Sequence, residues 1–132
     1  METETRVAPA PKAMFWAGWV VTAIPVLMML GGGLAMLFMP GPVEEGLKKL
    51  DYPASHARGI IILEIVCAAI YLAPQTAVLG AILLTGYLGG ATASHIRVGD
   101  GQFFGPVVFG VLVWLGLYLR DARVRALVPL RR

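Results

Sequence analysis

The sequence predicts an all-α membrane protein, a bundle of four transmembrane helices with antiparallel neighbours. Hydrophobic residues make up 58% of the 132 residues and charged residues only 14%, whereas soluble proteins contain roughly 45–50% apolar residues. Four long apolar stretches follow one another, separated by short polar breaks. A soluble domain of this size leaves much of its surface in water, so it could not bury this many apolar side chains. We therefore expect lipid to cover them.

The first predicted helix follows a flexible leader over residues 1–12, where charges and prolines alternate without an apolar period. Residues 13–39 carry no charge, and at 1.5 Å per residue they exceed the roughly 30 Å of the hydrocarbon core. The stretch is also too long for a cleavable signal peptide. Pro25 and the glycines at 31–33 predict a kink or a close helix contact in its second half.

Residues 43–56 are charged and predict an interfacial loop with a short amphipathic turn, ended by Pro53. The second apolar stretch, residues 59–73, is short for a span and contains Glu64. Residues 74–75 then form a tight polar break before the uncharged residues 76–94. So short a connection favours antiparallel neighbours, which makes both stretches spans.

The fourth span covers residues 103–119, so that residues 13–119 form the transmembrane domain and residues 120–132 a basic tail. An even number of spans places both termini on one side of the membrane. The terminal side carries seven Lys and Arg residues and the opposite side four. Because cytoplasmic loops are enriched in these residues, we predict a multi-pass protein of the cell membrane with both termini in the cytoplasm.

The ionisable residues gather at the end of the bundle away from the termini. Glu64 lies six residues beyond Arg58 in the second span, while His95 and Arg97 follow the third span. An ionisable group at membrane depth is costly and usually faces a partner or a wet cavity. Three interpretations of Glu64 stay open: a pair with His95 or Arg97 that joins two helices, a site that handles a proton or binds a polar head group, and an exposed carboxylate. No comparable polar set is expected at the terminal end.

Small and polar residues mark one face of the third span. Thr85 and Thr92 are spaced for a single face, and their hydroxyl groups either point to a ligand or bond back to the helix. Gly86 and Gly90 form a G-x-x-x-G pair, whose ordinary meaning is close helix packing.

Other classes of function find little support. Basic residues flank the spans without forming a stripe, which argues against nucleic acid as a partner. Two histidines and one cysteine are too few for a zinc site of the usual type, so we predict no metal site, although one histidine could ligate haem. Nucleotide-binding and hydrolase motifs are absent from the sequence.

Several segments together resemble the DoxX-like family of small bacterial membrane proteins. They read LDYP, TAVLGA, TGYLGGAT, HIR and WLGLYLR, at residues 50–53, 76–81, 85–92, 95–97 and 114–120. The resemblance covers nearly everything from Phe15 to Pro129. It implies a four-helix bundle with Glu64, Thr85, His95 and Arg97 at the family's polar positions. Members of the wider group are associated with thiosulfate:quinone oxidoreduction, with quinone-stress responses or with assisting other membrane proteins.

The sequence and the resemblance together suggest two main functions. In the first, a quinone-like or lipid-like molecule binds at the outer rim, with Glu64 and His95 handling a proton. The ligand would be held by the remaining predicted site residues, which are Arg97, Thr85, Thr92, Arg58 and Trp114. In the second, the chain is a non-catalytic accessory subunit or assembly factor. Transport by an oligomer is a third option, but no inverted repeat supports it.

The expected partners are membrane lipids, a membrane protein or further copies of the chain. Quinone and haem both stay open as cofactors, as does the question of whether the chain catalyses any reaction. The chain lacks the cysteine pairs of a self-contained thiol redox enzyme, because Cys67 is its single cysteine.

Overall fold

The computed structural model describes residues 11–129, and within this range it contains helices and no strands. The helices are α1 (Lys12–Phe38), α2 (Gly41–Lys49), α3 (Ala57–Leu72), α4 (Ala77–Val98), α5 (Phe104–Arg120) and α6 (Ala122–Leu127). Short 3₁₀ turns at Ala54–His56 and Pro74–Thr76 precede α3 and α4. The predicted all-α fold is confirmed.

The four long helices, α1, α3, α4 and α5, form the bundle. Going around it, α1 packs against α3, α3 against α4, α4 against α5, and α5 returns to α1. The buried core includes Val26 of α1, Ala68 of α3, Leu84 of α4 and Val113 of α5. Large apolar side chains elsewhere point outward, such as Leu27, which is 70% exposed. A helix bundle with an apolar outer surface is stable where lipid replaces water.

Three helical segments are long and apolar enough to cross a membrane, namely α1 and the segments Ala54–Leu72 and Pro74–Val98. The fourth, α5, is apolar but has only 17 residues. At 1.5 Å per residue it is about 25 Å long, slightly less than the hydrocarbon core. Its position between α1 and α4 makes it the fourth member of the bundle.

The observed helix limits lie close to the predicted ones. α4 continues to Val98, past the predicted end of the third span, so His95 and Arg97 lie on its last turn. The predicted amphipathic turn is the nine-residue helix α2, with Leu47 buried. Arg120 belongs to α5, and the predicted tail contains α6. Most of the predicted leader lies outside the described residues, and α1 begins at Lys12.

Glycines allow the helices to approach closely at several points. A Cβ atom on Gly80 would overlap the backbone of Tyr71, so α3 and α4 are in contact here. A Cβ on Gly33 would lie 2.9 Å from Cγ1 of Ile65, which confirms the close helix contact expected in the second half of α1. Despite Pro25, α1 is helical from Lys12 to Phe38.

Candidate functional site

A groove of about 660 Å³ opens at the end of the bundle away from the termini. We call it the rim groove. Its walls are α2, the first half of α3 and the second half of α4, and the loop after α4 closes one end. The lining residues used below are Leu47, Leu50, Tyr52, Ile60, Leu63, Gly86, Tyr87, Gly90, Ala91, Ser94, His95, Asp100 and Gln102.

The G-x-x-x-G pair of α4 forms part of the groove. Gly86 and Gly90 both line it, and a Cβ atom on either glycine would meet nothing within 4 Å. The expected close helix packing is therefore absent at these two positions among the described residues. The glycines instead leave space beside α4 that any larger side chain would fill.

A histidine–aspartate pair marks the exposed end of the rim groove. Nδ1 of His95 lies 2.6 Å from Oδ2 of Asp100. The backbone N–H of Gln102 donates to Oδ1 of Asp100 at 2.9 Å. This N–H and His95 together hold the pKa of Asp100 below its ordinary value. Because an ionised carboxylate only accepts hydrogen bonds, Nδ1 carries the proton and Nε2 is available to a ligand.

Glu64 lies deeper in the membrane and bonds to a tyrosine. The hydroxyl group of Tyr87 donates to Oε2 of Glu64 at 3.2 Å. Both residues line a second cavity of about 340 Å³ beside Gly32 and Gly33 of α1. Tyr87 also lines the rim groove, so it stands between the two spaces. A direct pair of Glu64 with His95 or Arg97, one of the three interpretations from the sequence, is not formed, and each of the three residues has another partner.

Arg97 turns away from Glu64 and contacts the end of α2. Its Nη2 donates to the carbonyl of Leu50 at 2.6 Å, and its guanidinium group lies 5.1 Å from the centre of the Tyr52 ring. The hydroxyl groups of Tyr52 and Ser94 are 3.0 Å apart. Arg97 therefore joins α4 to α2 and is not among the residues that line the rim groove.

The threonines of α4 bond mainly to the helix itself. Thr85 donates to the carbonyl of Ala81 at 2.7 Å, and Thr92 donates to that of Leu88 at 2.8 Å. Nε1 of Trp114 donates to Oγ1 of Thr85 at 2.7 Å, which joins α5 to α4. Of the two alternatives for these hydroxyl groups, the structure thus has back-bonding to the helix. None of the three residues lines the rim groove.

Arg58 and His56 lie on the same rim but outside the groove. Both side chains are exposed, and neither forms a hydrogen bond or ion pair with the described residues. The predicted site is therefore divided in space. His95 lies in the rim groove and Glu64 in the adjoining cavity, while Arg97, Thr85 and Trp114 hold helices together.

A second polar region, which sequence reasoning missed, lies at the terminal end of the bundle. We call Trp19, Thr22, Tyr71 and Arg120 the terminal-side cluster. The hydroxyl group of Tyr71 donates to the carbonyl of Val113 at 2.6 Å and lies 3.3 Å from Oγ1 of Thr22. Tyr71 and Thr22 are both fully buried. The expectation of no polar set at this end is wrong.

Arg120 closes the terminal-side cluster. Its Nε donates to Oγ1 of Thr22 at 3.2 Å, and its guanidinium group lies 4.3 Å from the Trp19 ring centre and 5.2 Å from that of Tyr71. Its Nη2 is buried and has no hydrogen-bond partner among the described residues. Cation–π contacts of this kind stabilise the part of the guanidinium group that is shielded from water.

The chain offers few groups to a resident metal ion. Between residues 11 and 129, no three His, Cys, Asp or Glu side chains lie together as a metal site requires. Of the two histidines, His95 lines the rim groove.

The fold and this arrangement agree with the comparison against protein families. The model of the DoxX-like family matches residues 20–116. The chain belongs to the DoxX-like family. The matched residues run from the first half of α1 to the second half of α5 and include the rim groove and Tyr71. The family resemblance recognised in the sequence is thus confirmed, and with it the assignment as a transmembrane helical bundle. No curated protein and no solved structure matches the chain.

Proposed function

We propose that the rim groove binds an amphipathic small molecule, either a quinone or a lipid-like compound. The observation that carries this proposal is a groove with a mainly apolar lining and with the polar groups of His95, Asp100 and Gln102 at the rim. Its volume of about 660 Å³ lies within the range of roughly 300–1,000 Å³ typical of small-molecule sites. The polar end of the ligand would lie at the rim, and its apolar part along Ile60 and Leu63 of α3.

In this proposal His95 is the residue that meets the polar end of the ligand. Its Nε2 accepts a hydrogen bond when the ring is neutral and donates one when it is protonated. Asp100 holds the ring through Nδ1, which leaves Nε2 for a ligand oxygen that gains or loses a proton. Glu64 would act from the adjoining cavity through the hydroxyl group of Tyr87, which lines the groove. Such a site would serve redox or quinone-linked membrane metabolism.

Other residues of the predicted ligand set have a positioning role in this proposal. Trp114 joins α5 to α4 through Oγ1 of Thr85, Thr92 bonds within α4, and Arg97 keeps α2 beside the groove. Arg58 is free at the rim and would attract an anionic head group before the ligand enters the groove.

Binding of decylubiquinone, with lysophosphatidylcholine as the lipid-like alternative, tests the proposal. We expect the purified protein in nanodiscs to bind one of the two probes, and His95→Gln to weaken that binding about tenfold through the loss of one hydrogen bond. Gly90→Leu should abolish binding because the leucine fills the groove. His56→Gln is the matched control, since His56 is exposed on the same rim outside the groove. Equal binding by Gly90→Leu and the natural protein would contradict the proposal.

A second candidate function is that of an accessory subunit or assembly factor, without catalysis. The open space beside Gly89 of α4 and Gly31 of α1 favours it, because helices pack closely in membranes where small residues face outward. Native mass spectrometry of the protein extracted from its own membranes separates the two functions. A stoichiometric protein partner supports the second, a bound quinone or lipid the first. An absorption spectrum of the same sample tests for haem, and the subunit count reports a homo-oligomer.

We also propose that both termini face the cytoplasm. Among the described residues, Lys12, Arg123 and Arg125 lie at one end of the bundle, as this orientation requires of the basic residues. A C-terminal green fluorescent protein fusion should fluoresce, while an alkaline phosphatase fusion at the same position should be inactive. The reverse result would place the rim groove on the cytoplasmic side.

A further inference from the structure

Helix α2 forms one wall of the rim groove, and its attachment to the bundle is uneven. Leu47 is buried against the rest of the chain. α2 packs against α1 and α3, but no close backbone contact joins it to α4 within the described residues. The space between α2 and α4 is the groove itself. Any movement of α2 relative to α4 would therefore change the width of the groove.

A set of polar contacts bridges this space at the C-terminal end of α2. We call Arg97, Tyr52 and Ser94, together with the carbonyl of Leu50, the clasp. Arg97 donates to that carbonyl at 2.6 Å and stacks over Tyr52, whose hydroxyl group lies 3.0 Å from that of Ser94. Ser94 also donates to the carbonyl of Gly90 within α4. The clasp is thus the link between α2 and α4 across the groove.

Most of the clasp is built from groups that water can replace, because Ser94 is its one buried side chain. Arg97 and Tyr52 are exposed, so their hydrogen bonds can be exchanged for hydrogen bonds to solvent at little net cost. By contrast, the bonds between α1, α3 and α5 in the terminal-side cluster are made by the fully buried Thr22 and Tyr71. Local opening occurs where few buried contacts must be broken. The link between α2 and α4 is therefore the place where the groove opens at the lowest cost.

The backbone conformation beside the clasp brings the groups of the clasp together. Asp51 adopts a positive φ of 63°, a left-handed conformation that is uncommon outside glycine. This turn reverses the chain after α2, so the Leu50 carbonyl and the Tyr52 ring both reach Arg97. Gly99, with a φ of 68°, ends α4 two residues beyond Arg97.

We infer that α2 is a strap that opens and closes the rim groove, and that Arg97, Tyr52 and Ser94 are the positioning residues that hold it closed. The role of this movement in ligand entry rests on the proposed function, whereas the movement itself does not. Arg97 thus affects the groove by holding α2 in place and not by direct contact with a ligand.

A cysteine reporter in the groove tests the strap without any ligand. Cys67 is buried in the core and is first replaced by alanine, so that a single thiol is labelled. Ala91→Cys places a thiol in the groove wall, and Ser55→Cys places one at an exposed position outside it. The measurement is the rate of maleimide labelling of each thiol in nanodiscs.

We expect the groove thiol to react more slowly than the exposed thiol at position 55. Arg97→Gln should raise its rate about fivefold to tenfold, and Tyr52→Phe, which keeps the ring and removes the hydroxyl group, about threefold. Neither change should alter the rate at position 55. Trp114→Phe is the matched control, because it removes a hydrogen bond of α4 to α5 without touching α2.

Three results would overturn the inference. One is an unchanged groove rate in both clasp variants, and another is an equal increase in Trp114→Phe, which would indicate general loosening. The third is a groove thiol that reacts as fast as the exposed one in the protein with an intact clasp. These labelling results are distinct from a failure of the proposed function, because that function is tested by the binding of decylubiquinone or lysophosphatidylcholine.

Discussion

The two ends of the bundle use the same kinds of residue in opposite ways. At the terminal end, a Cβ atom on Gly18 would lie 2.8 Å from the backbone nitrogen of Arg120, and one on Gly116 would overlap Thr22. At the other end, Cβ atoms on Gly86 and Gly90 would meet nothing. Gly18 and Gly116 thus let helices pack closely at the terminal end, whereas Gly86 and Gly90 leave space beside α4 at the other end.

The polar side chains differ in the same way. The terminal-side cluster is joined to three helices through the buried Thr22 and Tyr71. The polar groups of the rim groove, among them His95 and Asp100, meet at an exposed edge. Buried and satisfied polar groups stabilise a single arrangement, whereas exposed ones can exchange partners. The buried polar groups thus stabilise the terminal end, and the exposed ones leave the other end suited to the binding and movement that we propose.

The largest expected effect is at Gly80. Gly80→Val should destabilise the bundle by about 3 kcal/mol, because its side chain would overlap the backbone of Tyr71 and separate α3 from α4. Thermal unfolding in detergent measures the loss. Gly86→Val is the matched control, with open space around its Cβ, and should unfold near the temperature of the natural protein. Equal destabilisation by both changes would remove the contrast between the two ends.

The next effect concerns the hydroxyl group of Tyr71. Tyr71→Phe removes its hydrogen bonds to Val113 and Thr22 inside the core and should cost about 1 kcal/mol of stability. Tyr87→Phe removes a hydroxyl group in the groove region and should cost less, since Tyr87 is only partly buried. Chemical denaturation of both variants gives the comparison. A greater loss for Tyr87→Phe would mean that Glu64 is held in place for stability and not for function.

A smaller effect is expected from Thr22→Val. The valine keeps the volume of threonine but offers no acceptor to Nε of Arg120, which then has only its aromatic neighbours. The change also removes the contact with the hydroxyl group of Tyr71. We expect a loss below about 1 kcal/mol, because Tyr71 keeps its bond to Val113 and the partly exposed Arg120 can turn its Nε toward water. Thermal unfolding checks it, with Thr76→Val as the control, since Thr76 donates to Ile70 at an exposed position. A lower melting temperature for the control would contradict the expectation.

The smallest effect is the pH dependence of the loop after α4. The native pKa of Asp100 is lowered, so its contribution to stability is present above the pKa of the unfolded chain and is lost as the pH falls through the native value. That loss occurs below the ordinary carboxyl pKa of 3.8. We expect the carboxyl carbon of Asp100 to titrate below this value by NMR. In His95→Gln its pKa should rise toward the ordinary value, and an unchanged pKa would show that His95 contributes nothing to it.

The order and limits of the helices could be predicted from the sequence because the membrane imposes length and apolarity on each span. The uncharged stretch at 13–39 was sufficient to predict α1. The break at 74–75 was sufficient to separate α3 from α4. The candidate site was less predictable. His95 and Glu64 were identified by their cost in the membrane, but their partners Asp100 and Tyr87 were not, since neither carries an unusual sequence signal.

The terminal-side cluster was missed for a related reason. Thr22 and Tyr71 have no charge and are common in transmembrane helices, and Arg120 was assigned to the tail because it ends an apolar stretch. Helix α5 carries Arg120 back against α1 beside Gly18, where the guanidinium group stacks on Trp19. The signal that could have revealed it is the spacing of Gly18, Thr22 and Gly116 on facing helices.

The sequence by itself determined that this chain crosses a membrane as a helical bundle of the DoxX-like family, since hydrophobicity and span length act locally along the chain. The tertiary structure decided which polar groups meet. Helix rotation and the reversal after α2 direct Arg97 to Leu50, His95 to Asp100 and Glu64 to Tyr87. Such pairs depend on distances between separate helices, which no local property of the sequence encodes.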